Sequence, residues 1–193
     1  MCTEWSIKRI QQYVRSRVGS NAKLHREWER FMERSGLTPN TEVLSDERSI
    51  ERLFRKYADI CDESYDPEQL AELFTEDAVW AASSESGTSD FGVYKGRQAI
   101  YDFFAGVSSQ MVQAHHIVMS PEVDVTVPGV EANGRWNTIV MMKLADDPYS
   151  DGKDEAKMMT AVYTHKYRCE EGVWRIAHLQ VHTLFDVRLK QVG

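Results

Sequence analysis

Asp62 and His116 are the two residues of this chain whose types suit an acid/base pair. Along Met111 to Met119 the apolar residues alternate, so a strand there puts Val112, Ala114, His116 and Val118 on one face and Gln113, His115 and Ile117 on the other. His116 is thus expected on an apolar face, where a histidine is ordinarily a core residue with a satisfied hydrogen bond. Asp62 shifts that balance. It flanks the apolar stripe of a helix, where a carboxylate is costly unless paired or hydrogen-bonded. That helix must cover the apolar face of the sheet, the face that carries His116. A carboxylate bonded to an imidazole fixes its tautomer and leaves the far ring nitrogen as a general base suited to neutral pH.

Other chemistries find less support. Adjacent strand residues point to opposite faces, and H-x-H, H-x-x-x-H and H-E-x-x-H spacings are absent, so His115-His116 is not expected to bind metal. Without a G-x-S-x-G, a P-loop or a dinucleotide fingerprint, no serine nucleophile, nucleotide use or hydride transfer is expected. Cys61 falls within the helix stripe and reads as a small core residue. Trp80, Phe103, Phe104 and Trp136 are core-type aromatics that can also wall a pocket. Tyr57 and Tyr163 add hydroxyls that need partners when buried, which makes them candidate donors to a substrate oxygen. Asn137 interrupts an apolar strand and faces either solvent or the pocket, and Met141-Met142 and Met158-Met159 offer adaptable apolar walls.

The elements that must position these groups follow from periodicity. Ile50, Leu53, Phe54, Tyr57, Ala58 and Cys61 form the stripe of a helix buried along one face, with Ser45 or Asp46 as its cap and Asp59 pointing away. Asp66-Pro67-Glu68-Gln69 is a helix start with Asp as cap, Pro in the first helical position and Gln placed to reach back, leading into a short helix to Phe74. Ala78–Ala81 reads as a strand, Ser83–Asp90 as a loop and Gln98–Gly106 as a helix. From Met111 the period becomes two, giving strands over 111–119, 123–127, 134–144, 157–169 and 173–183 separated by turn residues. Helices first and consecutive hairpins later predict an α+β domain, a curved antiparallel sheet covered by N-terminal helices, over residues 46–193. Residues 1–45 hold two shorter amphipathic pieces, an accessory helical arm.

Composition narrows the partners. A formal charge of −7 argues against a phosphate-neutralising surface, so no nucleic acid is expected. The arm is electrically distinct, with eight Lys/Arg against five Asp/Glu where the remainder has fifteen against twenty-five. Three cysteines without a C-x-x-C predict neither disulfides nor a thiolate cluster and suit the cytoplasm. No apolar run approaches a bilayer span and no signal-peptide core is evident, so no membrane partner is expected.

Six segments, in order, resemble the SnoaL-like branch of the nuclear-transport-factor-2-like superfamily. They are I-x-x-L-x-x-x-Y-A-D-x-x-D at Ile50–Asp62, L-A-E-L-F-T-E-D-A-V-W at Leu70–Trp80, Y-K-G-R-Q-A-I at Tyr94–Ile100, A-H-H at Ala114–His116, G-R-W at Gly134–Trp136 and E-G-V-W-R-I-A-H-L at Glu171–Leu179. The resemblance covers about Ser45 to Val187 and implies a cone-shaped α+β barrel. In similar cofactor-free enzymes, scytalone dehydratase, bile-acid 7α-dehydratase and hexachlorocyclohexane dehydrochlorinase, an Asp–His dyad falls on Asp62 and His116. A tyrosine of the bile-acid enzyme falls on Tyr57 and a pocket tryptophan of the dehydrochlorinase on Trp80. The scytalone enzyme's tyrosine beside its aspartate is Cys61 here, and its late-strand Ser and Asn are Ala161 and Tyr163. The dehydrochlorinase lysine falls on Tyr57. No one of those substrates therefore carries over. What the resemblance implies is a lyase of the dehydratase type acting on a hydrophobic polycyclic or polyketide-like molecule. His116 and Asp62 would be the dyad and Tyr57 a donor, with Trp80, Phe104, His115, Asn137 and Tyr163 around the substrate. Isomerisation or polyketide cyclisation with the same dyad, and a non-catalytic binding or assembly module, are the alternatives. A homo-oligomer, dimer or trimer, is expected from similar proteins.

Overall fold

The structure is a computed structural model that describes residue 30 and residues 41–84, 91–145 and 156–189. The chain divides into two units, Met1–Thr41 and Glu42–Gly193. The two helical pieces expected before residue 40 lie outside the described residues, as do most of the Ser83–Asp90 loop and the turn from Asp146.

Helix α1 (Thr41–Glu63) buries Ile50, Phe54, Tyr57, Ala58 and Cys61 as the stripe requires, while Asp59 is exposed. It begins earlier than expected, and Asp46 does not cap it. The buried Asp46 carboxylate instead accepts from the Gly129 N–H at 2.8 Å and the Trp174 Nε1–H at 3.0 Å, tying α1 to two strand ends. Helix α2 (Pro67–Glu72) starts as the sequence dictates. Asp66 Oδ1 accepts from the N–H groups of Glu68 and Gln69, each at 3.0 Å, and the Gln69 amide reaches back to Oδ2.

Strands β1 (Phe74–Ser84) and β2 (Gly92–Lys95), helix α3 (Arg97–Gln110), and strands β3 (Met111–Val127), β4 (Glu131–Leu144), β5 (Ala156–Glu170) and β6 (Val173–Leu189) complete the domain. The order across the sheet is β2-β1-β6-β5-β4-β3, with β2 and β3 at the edges. The α+β class and the curved sheet under helices are as expected; one pair, β1 with β6, runs parallel. Phe74 opens β1 because α2 is short, and the Y-K-G-R segment makes the β2–α3 corner. Gly96 takes φ 85° there, and the Arg97 guanidinium grips the Phe74 carbonyl, with its Nη2 at 2.6 Å. The two strands expected over 111–127 are one bulged edge strand. Ser120 (φ 51°) and the shift of register between Met119 and Glu122 bend it at Pro121, which suits an edge.

The inner sheet face divides into two zones. In one, Phe54 packs on Trp136 and on His165, at centroid separations of 4.8 and 4.6 Å. The Trp136 Nε1–H donates to the Tyr167 hydroxyl, which shares a hydrogen bond with His165 Nδ1 at 2.6 Å. Gly134 admits this cluster, because a Cβ there would lie 2.8 Å from the Tyr167 ring. Gly134→Ala is expected to cost about 1–3 kcal/mol of stability by overpacking, checked by the urea midpoint at unchanged m-value. The other zone holds a cavity.

Candidate active site

The cavity has a volume of 1480 Å³ and lies between α1, α3 and the inner faces of β4, β5 and β6. Its walls are aromatic and aliphatic. Trp80 and Tyr94 pack on Phe103 at 4.4 and 4.3 Å, Phe104 adjoins them, and Val140, Met142, Met159 and Val181 complete the sheet side. Of each methionine pair, strand alternation turns only the second member inward. Charge gathers around β5 and β6, where Lys157 Nζ lies 3.0 Å from Asp186 with Arg188 also lining the cavity.

His116 lines this cavity with its side chain only 5% exposed. Asp62 lies behind it. Because β3 is an edge strand, its outward N–H groups have no strand to bond, and the His116 N–H is taken by both Asp62 oxygens at 2.9 Å. The same carboxylate accepts the ring Nδ1–H of His116 at 2.6 Å. With Nδ1 occupied, Nε2 is the nitrogen left with a lone pair for the cavity. Partial burial would raise the Asp62 carboxyl. The hydrogen bonds from the His116 ring and backbone, with the charge of both histidines, outweigh it and hold Asp62 below its ordinary value. Asp62 is therefore an anion at neutral pH.

Three phenols adjoin the cavity near the dyad: Tyr57, Tyr65 and Tyr163. Burial raises all three well above the ordinary tyrosine range, aided by the neighbouring Cys61 thiol, so each stays a neutral donor. Tyr57 is already engaged, since its oxygen accepts from the Trp80 Nε1–H at 3.2 Å. Tyr163 is 3% exposed and its hydroxyl has no hydrogen-bond partner among the described residues. Tyr65 went unread in the sequence.

Of the expected site residues, the structure thus brings His116, Tyr57, Trp80, Phe104 and Tyr163 to the cavity, with Asp62 one layer behind. Two of the expected residues, His115 and Asn137, lie off the cavity wall. The His115 side chain is 62% exposed and off the cavity wall, with Nδ1 3.3 Å from Asp62 Oδ2. Both histidines reach one carboxylate because Asp62 sits at the strand edge, between the two faces. Asn137 alternates with the buried Trp136 and Thr138, and so faces away from the cavity. Among the described residues no cluster of His, Cys, Asp or Glu has the geometry of a metal site.

Residues 42–180 match the model of the SnoaL-like domain. The chain belongs to the SnoaL-like family. Solved structures with this fold include the hexachlorocyclohexane dehydrochlorinase LinA-type3 of Novosphingobium barchaimii, 20% identical, with a TM-score of 0.65 over 80% of this chain and 97% of that one. A protein of Novosphingobium aromaticivorans provisionally described as a scytalone dehydratase is 19% identical, with a TM-score of 0.65 over 79% and 93%. An NTF2-like protein with a cystatin-like fold, also from Novosphingobium aromaticivorans, is 22% identical, with a TM-score of 0.55 over 73% and 83%. At such identities these likenesses establish the fold of this SnoaL-like domain, and its chemistry has to come from its own residues. No curated protein sequence matches the chain, and among the described residues no helix is long and apolar enough to cross a membrane.

Proposed function

We propose that this SnoaL-like protein is a cofactor-independent lyase of the dehydratase type, acting on a hydrophobic polycyclic or polyketide-like molecule. The observation that carries this reading is a buried imidazole on the cavity wall whose Nδ1 is held 2.6 Å from a carboxylate. His116 Nε2 takes a proton from the carbon beside a substrate carbonyl, and the C–H electrons pass into an enolate. The enolate reforms the carbonyl while expelling hydroxide from the next carbon. The imidazolium, stabilised by Asp62, returns its proton to the departing oxygen, so the substrate yields an unsaturated carbonyl compound and water. The aromatic wall excludes bulk water and strengthens each of these interactions. A cavity above the roughly 300–1,000 Å³ usual for small-molecule sites favours several fused rings over a small acid. The fold shared with a dehydrochlorinase supports the same lyase class.

The test is to incubate the protein with a panel of β-hydroxy polycyclic ketones in D2O and follow products by mass spectrometry. Loss of one water per molecule is expected, with the rate lowered at least about a hundredfold in Asp62→Asn. Deuterium uptake without loss of water would indicate isomerisation or cyclisation from the same enolate. Neither change with any panel member would leave a binding or assembly module.

A further inference from the structure

Tyr65 carries a cost that its place at a helix end does not require. Its φ of 51° lies in the left-handed region, where glycine ordinarily ends a helix and a side chain costs roughly 1–2 kcal/mol. The conformation is pinned on both sides. The Tyr65 N–H donates to the Ile60 carbonyl at 2.9 Å, the Ser64 carbonyl accepts from the Ser108 hydroxyl of α3 at 2.9 Å, and Asp66 is committed to capping α2. The ring is 7% exposed and lines the cavity, with its centroid 6.3 Å from those of both Phe104 and His116. Its hydroxyl, like that of Tyr163, has no hydrogen-bond partner among the described residues. That oxygen is open to the cavity and not sealed in the core, so it is available to a ligand. A glycine or asparagine would satisfy the turn without that penalty, so the tyrosine is accounted for by what its ring and hydroxyl meet in the cavity.

With the lyase reading of the same cavity as its basis, we infer that Tyr65 contacts the substrate. Its hydroxyl donates a hydrogen bond to a substrate oxygen beside the carbon that His116 deprotonates, so the site selects oxygenated ring systems over hydrocarbons or polyhalides of equal size.

Binding of 2-naphthol and of naphthalene, followed by ligand fluorescence in the wild type and in Tyr65→Phe, tests this without needing turnover. The naphthol oxygen can accept from Tyr65 while its own hydrogen goes to His116; naphthalene can do neither. Tyr65→Phe keeps the ring and the backbone, and circular dichroism and the thermal midpoint establish that it folds. Naphthol affinity is expected to fall about tenfold, with naphthalene affinity changed less than about twofold. An equal change for both ligands, no change for naphthol, or no binding of either to the wild type would overturn the assignment. A differential that persists while no panel ketone is converted would strike the lyase reading and leave the Tyr65 contact standing.

Discussion

Replacing His116 with glutamine lowers the rate of elimination by about 10² to 10⁴ and leaves the domain folded. The two halves of that expectation have separate physical sources. The rate depends on the Nε2 lone pair, which no rotamer of glutamine supplies as a base. The fold depends partly on the backbone N–H of residue 116, which Asp62 accepts through both oxygens at 2.9 Å whatever side chain follows. Glutamine can also offer its amide N–H to the carboxylate that the ring leaves behind. Asp62→Ala is a harsher change. It removes the acceptor of the His116 backbone N–H and ring N–H together and releases the edge strand from α1, so activity and stability fall together. Steady-state rates on a converted panel ketone, with urea midpoints for each variant, check both. A His116→Gln protein that folds and keeps its rate would mean that another group is the base.

Acid is expected to destabilise this domain early because of His165, which has no part in the dyad. Complete burial, aided by the charge of His178, lowers His165 from 6.5 to about 3. The folded protein therefore holds it neutral, while the unfolded chain protonates it near pH 6.5. Its contribution to stability is full above about pH 6.5 and is lost as pH falls toward 3. The slope from this group approaches about 1.4 kcal/mol per pH unit. Neutrality also matches its surroundings, since Nδ1 meets only the Tyr167 hydroxyl and the buried Nε2, which a charged ring would have to protonate, finds no partner among the described residues. Asp62 has the same sign at lower pH. Its lowered carboxyl stabilises the fold above the ordinary carboxylate range, and that stabilisation is lost as pH falls below 3.8 through the folded value. Urea midpoints between pH 7 and 4 should fall steeply in the wild type and more shallowly in His165→Gln. Parallel curves for the two proteins would remove His165 as the cause.

The sequence made the helices legible where one rule dominated. The stripe from Ile50 to Cys61 and the Asp66-Pro67 start each answer to a single local requirement, one-sided burial and capping. Asp62 and His116 were legible as types that need each other, but the geometry of their meeting was not. Facing across an apolar layer was the expected arrangement; a carboxylate at the edge of β3, holding a backbone N–H and two rings, is the observed one. Edge position depends on the order of all six strands, and the parallel pairing of β1 with β6 that fixes one side of that order has no local signature. Asn137 could have been placed by counting from Trp136, since residues one apart on a strand face oppositely. Tyr65 could not, because its importance lies in a backbone angle that a tyrosine rarely adopts.

The tautomer of neutral His116, read from the ¹⁵N shifts of its ring nitrogens, tests the central claim most directly. Asp62 holding Nδ1–H and leaving Nε2 open to the cavity predicts a protonated Nδ1 and an unprotonated Nε2 in the wild type, with the preference lost in Asp62→Asn. A wild-type His116 protonated at Nε2, or a tautomer indifferent to Asp62, would contradict the dyad and with it the assignment of His116 as the base.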